Sequence, residues 1–175
     1  MIAELIWLVP PPAEPKGVPS AEEWKGYEAA IGCPFPADYK EIFETYGLGW
    51  FADWLKLYPP NEIIQSIIPG QSLLELGTCR WENPCPRFPQ AEGILLCGHD
   101  DGNSFFAWHT QGSPSQWTLI NFDNDFREGS QIALNYSWLT LLVGWFSGEI
   151  VNDPSDNEWY PEDIEPTQER FFRQG

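Results

Sequence analysis

Apolar positions along this chain change their period several times, and each change marks an element. Trp24, Tyr27 and Ile31 recur at i, i+3 and i+7, the spacing of one helical face. Ser20 and Glu23 ahead of them form an S-x-x-E capping box, and Gly32 follows, so a helix is expected from Ser20 to about Ile31. Tyr39, Ile42, Phe43 and Tyr46 repeat in the same way and predict a second helix from Ala37 to Tyr46, stopped by Gly47. The two helices are expected to pack together. Short strands follow at Gly49 to Phe51 and Leu55 to Tyr58, the second closed by Pro59 and Pro60.

Between Gln71 and Trp81 the pattern is again helical, weakened by Gly77, and the proline-rich run to Pro89 predicts a loop. Three strands come next, Gly93 to Gly98, Asn103 to Thr110 and Gln116 to Phe122, separated by Asp101-Gly102 and by Gly112-Ser113-Pro114. Such turn chemistry joins antiparallel neighbours directly. Ser137 to Phe146 is apolar almost throughout and predicts a buried helix.

These elements predict a single α+β domain with a mostly antiparallel sheet flanked by helices. Its expected boundaries are a Pro-rich segment over 1–19, the folded domain over 20–148 and an acidic extension over 149–175. A length of 175 residues and 42% apolar content suit one core. Ile2 to Val9 lacks a basic flank and is halted by Pro10 to Pro12, so no export signal is expected there. Without an apolar run long enough to span a bilayer, the sequence predicts a cytoplasmic protein.

Charge narrows the partners. Acidic residues outnumber basic ones 26 to 9, for a net charge of −17, which opposes direct binding to nucleic acid or to anionic lipid. Eight carboxylates lie between Glu149 and Glu169 with no Lys or Arg among them; a run of this kind ordinarily solvates a surface.

Candidate chemistry is sparse. Phosphate-cradling, dinucleotide, zincin and nucleophile-elbow motifs are absent from the sequence. Gly98 to Asn103 gathers His99, Asp100 and Asp101, types able to hold a metal or move a proton, but Asp, Asn and Gly at that spacing are first of all turn residues. Cys79, Cys85, Cys97 and His99 are zinc-ligand types in no common zinc spacing, and the four cysteines, Cys33 included, are expected to be reduced and mostly buried. Neither a catalytic residue nor a metal nor a cofactor is assigned. Most of the ten tryptophans fall at core positions, Trp24, Trp108, Trp117, Trp138 and Trp145 among them, and Trp50, Trp54, Trp81 and Trp159 are expected at the surface.

One series of short motifs carries a resemblance. Gly32-Cys33-Pro34-Phe35-Pro36-Ala37-Asp38-Tyr39-Lys40 and Tyr46-Gly47-Leu48-Gly49 are followed by Phe88-Pro89, Gly93-Ile94-Leu95, Gly98, Gly102-Asn103, Trp108 and Gly112 to Thr118. In that order they resemble the SUKH superfamily (Smi and Knr type) over roughly 20–148, with Ile31-Gly32 and Phe35-Pro36 standing where Leu-Gly and Leu-Pro are usual. The resemblance implies an α+β fold without shared catalytic residues. It also implies, most often, an immunity protein that binds a cognate bacterial toxin, commonly a nuclease, and the acidity of this chain would suit a basic toxin. Contact residues expected on that basis are Asp53 and Trp54 in one loop, Asp100 and Asp101 at a hairpin tip, and Asp156 and Glu158 in the acidic extension. The alternative is a regulatory or scaffold module unconnected with toxins.

Overall fold

The computed structural model describes residues 1–68, 86–102, 104–122, 131–150 and 170–175. Five α-helices occur among them: α1 (Ile2–Leu8), α2 (Ala21–Ile31), α3 (Ala37–Tyr46), α4 (Pro60–Ile67) and α5 (Trp138–Ser147). The strands are β1 (Gly49–Phe51), β2 (Leu55–Leu57), β3 (Ile94–Asp100), β4 (Phe105–His109), β5 (Thr118–Phe122), β6 (Gln131–Ala133) and β7 (Phe172–Gln174). They form one seven-stranded sheet in the order β6-β5-β4-β3-β2-β1-β7, and every pairing is antiparallel. The α+β class and the antiparallel sheet are as the pattern predicts.

The predicted caps form. Ser20 and Glu23 make a reciprocal capping box, Gly32 ends α2 with φ of 84°, and α3 spans the residues expected of it. Gly47 is required where it stands: its φ is 69°, and a Cβ there would lie 2.2 Å from the carbonyl oxygen of Lys16. Contact between α2 and α3 is aromatic, with Trp24 edge-on to Tyr39 at 6.2 Å.

Strand registers separate the two faces of the sheet. One face packs under α3 and α5 through Tyr39 against Trp108, Trp138 against Phe106 and Phe146 against Phe51, with centroids 5.1, 5.3 and 6.2 Å apart. A β-bulge at Cys97 shifts the register between Leu96 and Gly98. Gly98 is held bare by crowding, since a Cβ would meet the Lys56 carbonyl at 2.7 Å and the Trp138 ring at 2.9 Å. On the opposite face, Lys56, His99 and Phe105 stand in register across β2, β3 and β4.

Several elements differ from the pattern reading. Residues 2–8, placed by the sequence in the Pro-rich segment over 1–19, form α1, whose Leu5 and Leu8 are buried and which packs against α5 and α3. Pro59 and Pro60 end β2 but also begin a helix: Pro60 occupies the first turn of α4, where a missing N–H removes nothing. β6 and β7 lack counterparts in the reading, and Pro114–Gln116 is a 3₁₀ turn ahead of β5. β7 pairs with β1 through Gly49 with Gln174, Trp50 with Arg173 and Phe51 with Phe172. The helix expected over 71–81 lies outside the described residues. No described helix is long and apolar enough to cross a membrane.

Candidate protein-binding surface

Two hairpin tips meet at one corner of the sheet. The first joins β1 to β2 through Ala52 and Asp53, both in the left-handed region with φ of 51° and 53°; the second follows β3 at Asp101 and Gly102. Most side chains tolerate positive φ poorly, and Asp is among those that tolerate it best. The Asp101 N–H donates to the Trp54 carbonyl at 2.9 Å, fixing the tips side by side. The Ala52 N–H donates to the Phe171 carbonyl at 3.0 Å, and the Asp53 carboxylate accepts from Arg173 Nε at 2.6 Å. Two adjacent pairs that are far apart in sequence, Asp53-Trp54 and Asp100-Asp101, are thereby brought together.

Only two of the four present side chains to solvent. Asp53 and Asp101 are exposed. Trp54, expected at the surface, is 3% exposed, because its ring lies 5.2 Å from Trp145 of α5. Asp100, also expected to reach a partner, is 2% exposed; its carboxylate turns inward and accepts the Ser104 N–H at 2.8 Å, closing the turn. Burial pushes the Asp100 carboxyl up to about 6, against the stabilising bonds from Ser104 and Gly102. Trp50 is half-buried. Asp156, Glu158, Trp81 and Trp159 lie outside the described residues.

His99 is wedged between Trp50 and Tyr58, with centroids 5.1 and 5.2 Å away. Burial lowers its pKa to about 4, helped by the Lys56 ammonium on the neighbouring strand, so it is neutral at pH 7. The Asp100 carboxylate points into its own turn, and the Asp101 charge only partly offsets the lowering. Cys97 is fully buried, its thiol pushed up by desolvation and directed at the Phe106 carbonyl at 3.5 Å. Cys33 is partly buried and also free; Cys79 and Cys85 fall outside the described residues. No cluster of metal-ligating side chains occurs among the described residues.

The motif series that carries the family resemblance turns out to hold the fold together. Asp38 Oδ2 accepts the Leu139 N–H at 3.2 Å and so caps α5. Tyr39 Oη donates to the Tyr58 carbonyl at 2.6 Å. Lys40 pairs with Glu28 at 2.9 Å while lying 5.0 Å above the Trp24 ring. Tyr46 Oη donates to the Val9 carbonyl at 2.6 Å, tying α3 to the chain after α1. A cleft of about 300 Å³ opens beside these ties, lined by Pro19, Tyr27, Leu48 and Pro59. Glu23, the one charged group among its described lining residues, is engaged by Ser20 in the capping box.

Taken together, the antiparallel sheet, the helices packed on it and the structural duty of the motif residues define a small single-domain α+β protein of the SUKH kind. The chain belongs to the SMI1 / KNR4 family (SUKH-1), whose family model matches residues 19–139. That family is generally non-catalytic and includes immunity-like domains. The matched stretch leaves out α1, most of α5 and β7. Comparison with the curated proteins and with the solved structures finds no match.

Proposed function

We propose that this chain is an immunity protein that binds a cognate bacterial toxin, of basic character and nuclease type, and neutralises it by occupying its surface. The observation that carries the reading is a net charge of −17 on a member of this family. A toxin that grips nucleic acid needs a basic face, and opposite charge steers the two together. Steered association reaches about 10⁸–10⁹ M⁻¹s⁻¹ at low salt, against about 10⁵–10⁶ M⁻¹s⁻¹ without steering. Fast capture is what self-protection in the cytoplasm demands.

Asp53 and Asp101 at the joined tips are the contact carboxylates, with Asp156 and Glu158 as further ones. Trp54 and Asp100 act beneath them by fixing the tips. Asp53 is shared with Arg173, so an incoming toxin arginine exchanges with an internal one at that position, while Asp101 meets the toxin directly.

Co-expression with the toxin domain encoded directly upstream of the gene tests this, scoring cell survival and co-purification. Rescue with a 1:1 complex is the expected result. Continued killing with no complex would reject it and favour a scaffold role unconnected with toxins.

A further inference from the structure

We propose that the outer face of α1 is a hydrophobic anchor for docking a protein partner whose surface combines an apolar pocket with arginine or lysine side chains. The proposal rests on the reading that the chain works by binding a basic protein. Within α1, IAELIWL, only Glu4 is polar. A helix apolar on nearly every side is ordinarily buried all round. This one is not: Leu5 and Leu8 face α5 and α3, while Ala3, Ile6 and Trp7 are open to solvent.

Trp7 is 76% exposed, Ile6 38% and Met1 64%. Spacings of three and four residues set Ala3, Ile6 and Trp7 together on one side of the helix. Apolar residues scattered singly over a surface call for no explanation, but a contiguous set marks an interaction site. An indole offers roughly 150–250 Å² of burial to a partner, the residue type most enriched at binding hot spots.

Charge selects the occupant. Neither 1–15 nor 131–150 contains a Lys or Arg, so α1 and α5 carry no positive side chain. Lys40, the one cation of α3, is engaged by Glu28. Glu4 on α1 and Glu41 and Glu44 on α3 are exposed. A second copy at −17 would be repelled, as would an anionic bilayer. A basic protein face is attracted, and an arginine guanidinium can stack on the open Trp7 ring. α1 precedes the stretch matched by the family model.

Binding of the full chain, its Trp7→Ala variant and a Glu4→Gln/Glu41→Gln/Glu44→Gln variant tests the proposal. The probes are the toxin domain encoded beside the gene and a fluorescein-labelled amphipathic Lys/Leu peptide. Trp7→Ala is expected to weaken binding about 30-fold, a hot-spot loss, with thermal unfolding unchanged, and the triple variant to flatten the salt dependence. Equal binding by the wild type and Trp7→Ala overturns the proposal. If the wild type ignores the toxin domain, the immunity reading fails, and the peptide decides the docking surface by whether its binding depends on Trp7. Trp7-dependent binding to phosphatidylglycerol vesicles, or Trp7-dependent self-association in sedimentation, with no peptide binding also overturns it.

Discussion

The backbone N–H of Asp101 reaches the carbonyl of Trp54 at 2.9 Å, extending the β2–β3 pairing to the tips of two hairpins that are far apart in sequence. Beside that carbonyl the Trp54 ring is sunk against Trp145. Trp54→Ala is therefore expected to destabilise the fold by about 3–5 kcal/mol, measured by urea unfolding. Asp101→Asn, an exposed change that keeps the backbone bond, is expected to stay within about 0.5 kcal/mol. A loss for Asp101→Asn as large as that for Trp54→Ala would mean that the Asp101 side chain holds the corner as well as the buried ring.

His99 and Asp100 are neighbours with opposed titrations. His99 is held at about 4, below its ordinary 6.5. Between those values the unfolded chain binds the extra proton, so His99 makes stability rise with pH, its contribution complete above pH 6.5 and lost as pH falls towards 4. Asp100 is held at about 6, above its ordinary 3.8. In that window the folded state binds the extra proton, so Asp100 makes stability fall as pH rises from about 4 to 6. The two slopes largely cancel. Stability of Asp100→Asn relative to the wild type is expected to grow on going from pH 4 to 6, and that of His99→Phe to shrink, each by on the order of 1–2 kcal/mol. Parallel curves for all three proteins in chemical denaturation at stepped pH would refute the pairing.

Asp38 joins α3 to the first turn of α5 by accepting the Leu139 N–H. Asp38→Ala leaves that N–H without its cap and is expected to lose about 1 kcal/mol, with Asp38→Asn recovering most of it. Thermal unfolding reads the difference. An Asn variant as weak as the Ala variant would show that the hydrogen bond is not what matters at this position.

Arg173 and Phe172 lie side by side on β7 but are expected to contribute unequally. The Arg173 pair with Asp53 is solvent-exposed, and Arg173→Ala should change stability by less than about 1 kcal/mol. Phe172 lies against Tyr46 and Phe51, with centroids 5.1 and 4.9 Å away, and Phe172→Ala should lose about 2–3 kcal/mol. Guanidinium unfolding of the two variants settles the order; the reverse order would put the strength of that sheet edge in its charges.

Much of the fold was legible because its signals are local. α2 and α3 each combine a helical period with a cap or stop, and β3 to β5 are joined by turns whose residues show in the sequence. What escaped depends on distant partners. α1 is seven residues long, too short to hold itself helical in water, and exists by packing on α5 and α3. α4 was hidden because Pro60, read as a stop, is equally at home in a first helical turn. Three-residue strands such as β6 and β7 carry almost no periodicity. The contact residues divide on the same line: sequence placed Asp53 and Asp101 in turns, but only Trp145, far along the chain, decides that Trp54 faces inward. Nothing local separates Asp100, folded into its turn, from Asp101 beside it.

The pairing of β1 with β7 bears on the order of assembly. The β3-β4-β5 meander needs only neighbouring segments and can zip up as soon as its hairpins emerge during synthesis. β1 emerges earlier than any of these strands, yet its second neighbour is β7, which follows all of them in the sequence. Until β7 arrives, Gly49 to Phe51 presents an unsatisfied edge, and the nascent protein passes through a stage in which a strange strand could take that place.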